Sequence, residues 1–320
     1  MHIRLFASCV ILGLAVATAA SAASFDCAKA KSRSEVLICH TPALSDLDSR
    51  MMQTYRADLA VSPTPVNLTL AQRQWIADRD KGEPADNQAK TFRPLTADEM
   101  AHDYTDRIDA LKGEIDFAAK ARATTFPIAD LGKRCVPLNE DLAKKCVVSS
   151  SGQVKGAASL WFQLQGPPEG DTDDFTRGVV VFEAGGPGQL RPRLWNFIEG
   201  GYYDDPRQLQ TAAGALLWLP ANDSGTGVFN EDLLYHQVDG RWRDIDLQSW
   251  KADLAQRLPK DRQVWKGVPY DFKALETTTG LWRPDDGNCC PTGGQAHVRF
   301  KLAGDRLEIV SVERSAKNLE

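Results

Sequence analysis

The chain is poor in the groups on which catalysis is usually built. It has five histidines in 320 residues. Beyond the first 23 residues the four that remain are His40, His102, His236 and His297, and none belongs to a His-Glu-x-x-His pattern. His297 is the sole histidine near the adjacent Cys289 and Cys290, too few ligands for zinc. Gly185-Gly186-Pro187-Gly188 lacks the spacing of a phosphate loop and reads as a turn. Ser224-Gly225-Thr226-Gly227 is not a nucleophile elbow. A Ser-His-Asp triad stays open, because its members need not be neighbours in sequence, but His236 falls in a strand pattern. No catalytic residue, cofactor or metal is therefore assigned. Clustered Lys and Arg are also missing, and 38 basic against 43 acidic residues argue against a nucleic-acid partner. After the N-terminal segment no apolar run reaches the roughly 20 residues that span a bilayer.

The N-terminal segment is what a chain bound for export carries. Arg4 is followed by the apolar run Leu5 to Ala17 and then by Thr18-Ala19-Ala20-Ser21-Ala22-Ala23. This layout predicts a secretory signal peptide at 1–23, cleaved after Ala22 or Ala23, and a periplasmic or secreted protein. Cys9 lies too early for a lipoprotein cysteine. Removing the leader leaves six cysteines: Cys27, Cys39, Cys135, Cys146, Cys289 and Cys290. An even count in an exported chain reads as disulfides, and the spacing favours three local pairs out of 15 possible connectivities. Cys27–Cys39 and Cys135–Cys146 would each close a loop of about a dozen residues, worth roughly 2–3 kcal/mol. Cys289 and Cys290 sit in a turn-rich loop, Asp285 to Gly294, and read first as a staple; thiol-redox chemistry is the alternative.

Residues 24–118 read as helices. Ser32 with Glu35, Thr69 with Gln72 and Thr96 with Glu99 fit capping boxes, and Thr41-Pro42 opens a helix. Leu44, Leu47, Met51, Tyr55 and Leu59 form one apolar stripe; Met100, Tyr104, Ile108, Leu111 and Ile115 form another. Pro63 and Pro65 end one helix, and Gly82 with Pro84 ends the next. Residues 119–134 read as a linker. From 135 to 320 the pattern turns to strands: Val147-Val148, Leu160 to Leu164, Gly178 to Phe182, a hairpin at Tyr235 to Ile245 around Asp239-Gly240, and a last hairpin around Gly304-Asp305. One helix falls near Leu247 to Leu258. Seven tryptophans lie here, expected mainly in the core, with some free to line a sugar-binding groove. The expected fold is α+β: a small disulfide-stapled helical bundle followed by a mainly antiparallel β domain.

Ser24-Phe25-Asp26-Cys27-Ala28-Lys29-Ala30, Glu35-x-x-Ile38-Cys39, Pro42-x-Leu44-x-x-Leu47-Asp48, Tyr55, Gln72-Arg73-Gln74-Trp75-x-x-x-Arg79-Asp80 and Tyr104-x-x-Arg107-Ile108-x-x-Leu111 together resemble the N-terminal domain of LprI-type lysozyme inhibitors. The resemblance covers nearly all of 24–115. It implies a binding protein, not an enzyme, whose partner is lysozyme or another cell-envelope protein or glycan. Members of that family carry a cysteine two residues after the Arg-Asp pair and another before the final Tyr. Gly82 and the cysteine-free run 83–103 stand there instead, which implies a lost staple and a looser loop at 82–95. The part from 135 to 320 resembles no family. An envelope hydrolase or thiol-redox factor sited there is the alternative function, and a purely structural envelope protein is a third.

Overall fold

The computed structural model describes residues 23–84, 91–137, 145–168, 176–223, 231–265, 267–287 and 289–317. Of the leader expected at 1–23, all but Ala23 lies outside them, Cys9 included, as do Ser224 to Gly227 and Asn288. A 3-10 turn at Cys27–Lys29 precedes α1 (Arg33–His40), α2 (Pro42–Leu59) and α3 (Pro65–Lys81). The short strands β1 (Glu83–Pro84) and β2 (Phe92–Arg93) pair ahead of α4 (Ala97–Ala123). A helical region stapled by Cys27–Cys39 thus precedes a β-rich part, and the chain is α+β. Among the described residues no helix is long and apolar enough to cross a membrane.

The β-rich part is three antiparallel sheets in succession. β3 (Phe126–Pro127), β4 (Val147–Gln153), β5 (Leu160–Gly166), β6 (Thr176–Gly186) and β7 (Gln189–Glu199) form a sheet in the order β3-β7-β6-β5-β4. Next come β8 (Gly201–Tyr203), β9 (Arg207–Thr211), β10 (Gly214–Leu219), β11 (Ala221–Asp223), β12 (Leu233–Val238) and β13 (Arg241–Asp244). Of these, β13-β12-β10-β9 is the second sheet, and β8 pairs with β11. After α5 (Ser249–Ala255), the strands β14 (Gln263–Val264), β15 (Tyr270–Asp271), β16 (Glu276–Trp282), β17 (Gln295–Ala303) and β18 (Arg306–Ser315) make the third.

The chain divides into two compact units. One comprises residues up to Thr54 with Ala77–Ile108; the other comprises Tyr55–Ile76 with Asp109–Glu320. In the first, Ile38, Leu44, Met51, Leu95, Met100, Tyr104 and Ile108 are buried. The capping boxes expected at Ser32–Glu35 and Thr96–Glu99 are both formed. In the second, neighbouring residues of β6 face opposite cores. Val179 and Val181 join Leu217, Leu219 and Tyr235; Val180 and Phe182 join Ala118, Ala121, Phe126 and Trp195. A strand covered on both faces reads as an unbroken apolar run, which is what Val179 to Phe182 is. Leu216 and Leu234 face the third core, with Trp250, Leu254, Val298 and Phe300. The Asp239-Gly240 hairpin has the positive φ at both residues that a type I′ turn needs (50° and 73°).

Two expectations are corrected. The stretch 119–134 is no linker: α4 runs on to Ala123, because Ala118 and Ala121 pack in the core, and β3 then pairs Phe126 with Leu190. The Thr69–Gln72 capping box does not form, because α3 starts earlier, at Pro65, with the proline in the first turn where its missing N–H is harmless. Thr69 instead donates to the Pro65 carbonyl and accepts from the Tyr55 hydroxyl. Of the loop 82–95, which the lost staple was expected to loosen, residues 85–90 lie outside the described residues; β1 and β2 pair on either side of them, and Lys81 Nζ sits 3.8 Å over the Phe92 ring. Gly82 has φ +82°, and a Cβ there would collide with the Arg93 carbonyl, so this backbone excludes a cysteine at the position.

Candidate functional site

Asp48, Arg79, Asp80 and Tyr104, four of the residues on which the resemblance rests, come together in the first unit. Tyr104, from α4, is fully buried; its hydroxyl accepts from Arg79 Nη1 at 2.8 Å and donates to Asp48 Oδ1 at 2.8 Å. Arg79 also donates through Nε and Nη2 to Asp80. The Ser24 amide donates to Asp48 Oδ2 at 2.6 Å. Asp48 is 2% and Arg79 7% exposed, so these charges are tolerable only because each is hydrogen-bonded. Asp48, Arg79 and Tyr104 are thus a buried framework that ties α2, the end of α3 and α4, whereas Asp26, Lys29, Arg73, Gln74 and Asp80 of the same motifs are exposed.

Two surfaces of this unit are open to a partner. A groove of about 600 Å³ runs along the outer face of α1, lined by Lys31, Arg33, Val36, Leu37, His40 and Leu95 among others; Val36 is 43% exposed. The second is acidic. Glu83, Asp106 and Glu99 lie near Asp103, and burial, then the charge of these carboxylates, raises the Asp103 carboxyl above its ordinary value. Glu99 is already compensated: Arg93 grips both its oxygens at 2.6 and 2.9 Å and, with the Thr96 cap, holds its carboxyl down at about 2. Among the described residues Asp106 has His102 Nε2 at 3.4 Å as its one ion-pair partner.

The six cysteines pair as Cys27–Cys39, Cys135–Cys146 and Cys289–Cys290. The last pair lies exposed, in a loop pinned by Asp286, which accepts from the Arg283 amide, the Thr292 amide and the Thr292 hydroxyl. His297 is occupied elsewhere: its Nδ1 meets the Thr278 hydroxyl at 3.1 Å and its Nε2 lies 3.6 Å from Glu276. Thr278, His297 and Glu276 make a hydroxyl–imidazole–carboxylate chain that the sequence did not reveal, since its members come from two strands. Glu276 is shared with Arg299, and Arg299 with Glu313, so the chain continues as a ladder of charges across the sheet. His236 pairs with Asp305 at 2.7 Å, and Arg243 holds the other oxygen of Asp305. Among the described residues no hydroxyl is hydrogen-bonded to His236. No group of three or more His, Cys, Asp or Glu arranged for a metal occurs among the described residues.

In the second unit Trp250 is wholly buried, whereas Trp195 and Trp242 line a pocket of about 420 Å³ with Arg122, Arg193 and Arg241. Sequence reading offered the tryptophans for such a groove, but not the arginines, which lie on a helix and two separate strands. Compared with models of known protein families the chain matches none, and no curated protein matches it.

Proposed function

We propose that the chain is an exported binding protein whose helical unit recognises a cationic partner, lysozyme being the leading case and another envelope protein the next. The observation that carries this reading is the acidic cluster of Glu83, Asp103 and Asp106, in which burial and then the charge of Glu83 and Asp106 raise the Asp103 carboxyl. Concentrated charge of one sign speeds encounter with a partner of the opposite sign. The α1 groove fits a cationic partner poorly, because Lys31 and Arg33 stand beside it. Two further facts support the reading. Asp48, Arg79 and Tyr104, which the resemblance singles out from three separate segments, share one hydrogen-bond network. Three disulfides suit an oxidising compartment. Cleavage after Ala23 would turn the Ser24 amide into an ammonium beside Asp48, which strengthens that contact.

The test is residual lysozyme activity in the presence of a molar excess of the whole processed chain. The reading expects activity to fall in proportion to the chain added, and the loss to shrink at high salt. Full activity at every ratio removes the inhibitor.

A further inference from the structure

We infer that the second unit carries a binding site for a small organic oxyanion, a phosphorylated or carboxylated sugar-sized molecule, in the pocket between the end of α2 and the first two sheets. This goes beyond the proposed recognition of a cationic protein, which it neither uses nor requires.

The pocket holds about 420 Å³, within the range of small-molecule sites and too small for a protein segment of any length. Three arginines share its lining: Arg122 from the end of α4, Arg193 from β7 and Arg241 from β13. No carboxylate lines it among the described residues. Arginine stays charged at any physiological pH, so three of them around one small space repel one another until an anion enters. Their partners within the protein are weak. Arg122 donates to the Val61 carbonyl at 3.2 Å, which positions the group without neutralising it. Arg193 Nε lies 3.8 Å from Glu183, and both side chains are well exposed. Arg241 has no ion-pair partner among the described residues.

The remaining lining sets the ligand's body. Trp195, Trp242, Pro63, Pro192, Leu194 and Val61 supply apolar walls, so a bare inorganic ion would leave much of the space unused. Ser62 accepts from the Thr64 amide and keeps its own hydroxyl proton to donate to the ligand. Guanidinium forks match the paired oxygens of a carboxylate or phosphate, and flat apolar walls suit the faces of a ring. A second arginine-lined pocket, with Arg73, Arg243 and Arg306, is different in kind, because Asp246 and Asp305 line it too and Arg243 is paired with Asp305.

The experiment is calorimetric titration of the whole chain, at low ionic strength, with glucose 6-phosphate, glucuronate and glucose. One site per chain is expected for at least one of the two charged sugars, and none for glucose. Binding of the phosphate alone assigns a phosphorylated ligand, and binding of glucuronate alone a carboxylated one. Arg193→Gln and Arg241→Gln, both at surface-accessible positions, should each weaken binding about tenfold or more while circular dichroism is unchanged. Three results would overturn the inference: neither charged sugar binding at millimolar concentration, glucose binding as well as the charged sugars, or the double variant binding as the parent does.

Discussion

Tyr104 is the residue on which the first unit turns. Its ring is buried with the apolar stripe of α4, while its hydroxyl bridges a buried cation and a buried carboxylate. Burial pushes that hydroxyl far above its ordinary titration range, so it stays a neutral donor and acceptor throughout the stable pH range. Removing it leaves the ring's packing intact and takes one partner each from Arg79 and Asp48. A hydrogen bond to a charged group contributes about 1.5–3 kcal/mol, and here two are lost at once. Tyr104→Phe should therefore lower stability by at least about 2 kcal/mol in urea unfolding, with little change in the far-ultraviolet spectrum. A change within error would mean that the network is not what holds these helices.

At the scale of elements, the least expected contact is the start of α3. Its first turn presents amides that no residue of the helix can satisfy. Asp244, from the far end of β13, accepts from Val66 at 2.9 Å and from Asn67 at 2.7 Å. Burial nonetheless raises the Asp244 carboxyl to about 6, and that of Asp232, which accepts from Trp218 Nε1, to about 6 as well. Both values lie above the unfolded value of about 3.9, so the folded state holds these protons more tightly. Their contribution to stability is full below about pH 4 and is lost as pH rises through about 6. Unfolding midpoints should fall over that window, and Asp244→Ala should flatten the fall. The same variant should cost about 2 kcal/mol at pH 7 for the two stranded amides. A pH-independent midpoint would contradict the assignment.

The same contact explains what was and was not legible in the sequence. Ser32–Glu35 and Thr96–Glu99 could be read because a capping box is complete within four residues. Thr69–Gln72 has the same letters, but α3 is capped by a residue 177 and 178 positions away, which no local pattern can signal. The Asp239-Gly240 turn was legible because it requires positive φ. β16 was not, because Thr277 and Thr279 are its inward-facing residues and their hydroxyls hide the alternation. The pocket arginines were illegible for the same reason as the α3 cap: Arg122, Arg193 and Arg241 meet only once α4 and the first two sheets have been assembled.

For the molecule as a whole, the two units differ in chemistry. The first, counted from residue 24, has twelve acidic against nine basic residues and gathers carboxylates at Glu83, Asp103 and Asp106. The second places Arg122, Arg193 and Arg241 around one pocket that no carboxylate lines among the described residues. The two proposals, a cationic partner for the first unit and a small oxyanion for the second, rest on these two features separately. The acidic cluster carries the central claim. Its most direct test is a titration of the whole chain with lysozyme, set beside the same titration of Asp103→Asn combined with Asp106→Asn. The account predicts saturable binding by the parent, weakened about tenfold or more in the double variant and weakened likewise by added salt. Equal affinity for the parent and the double variant at low and high salt would contradict it.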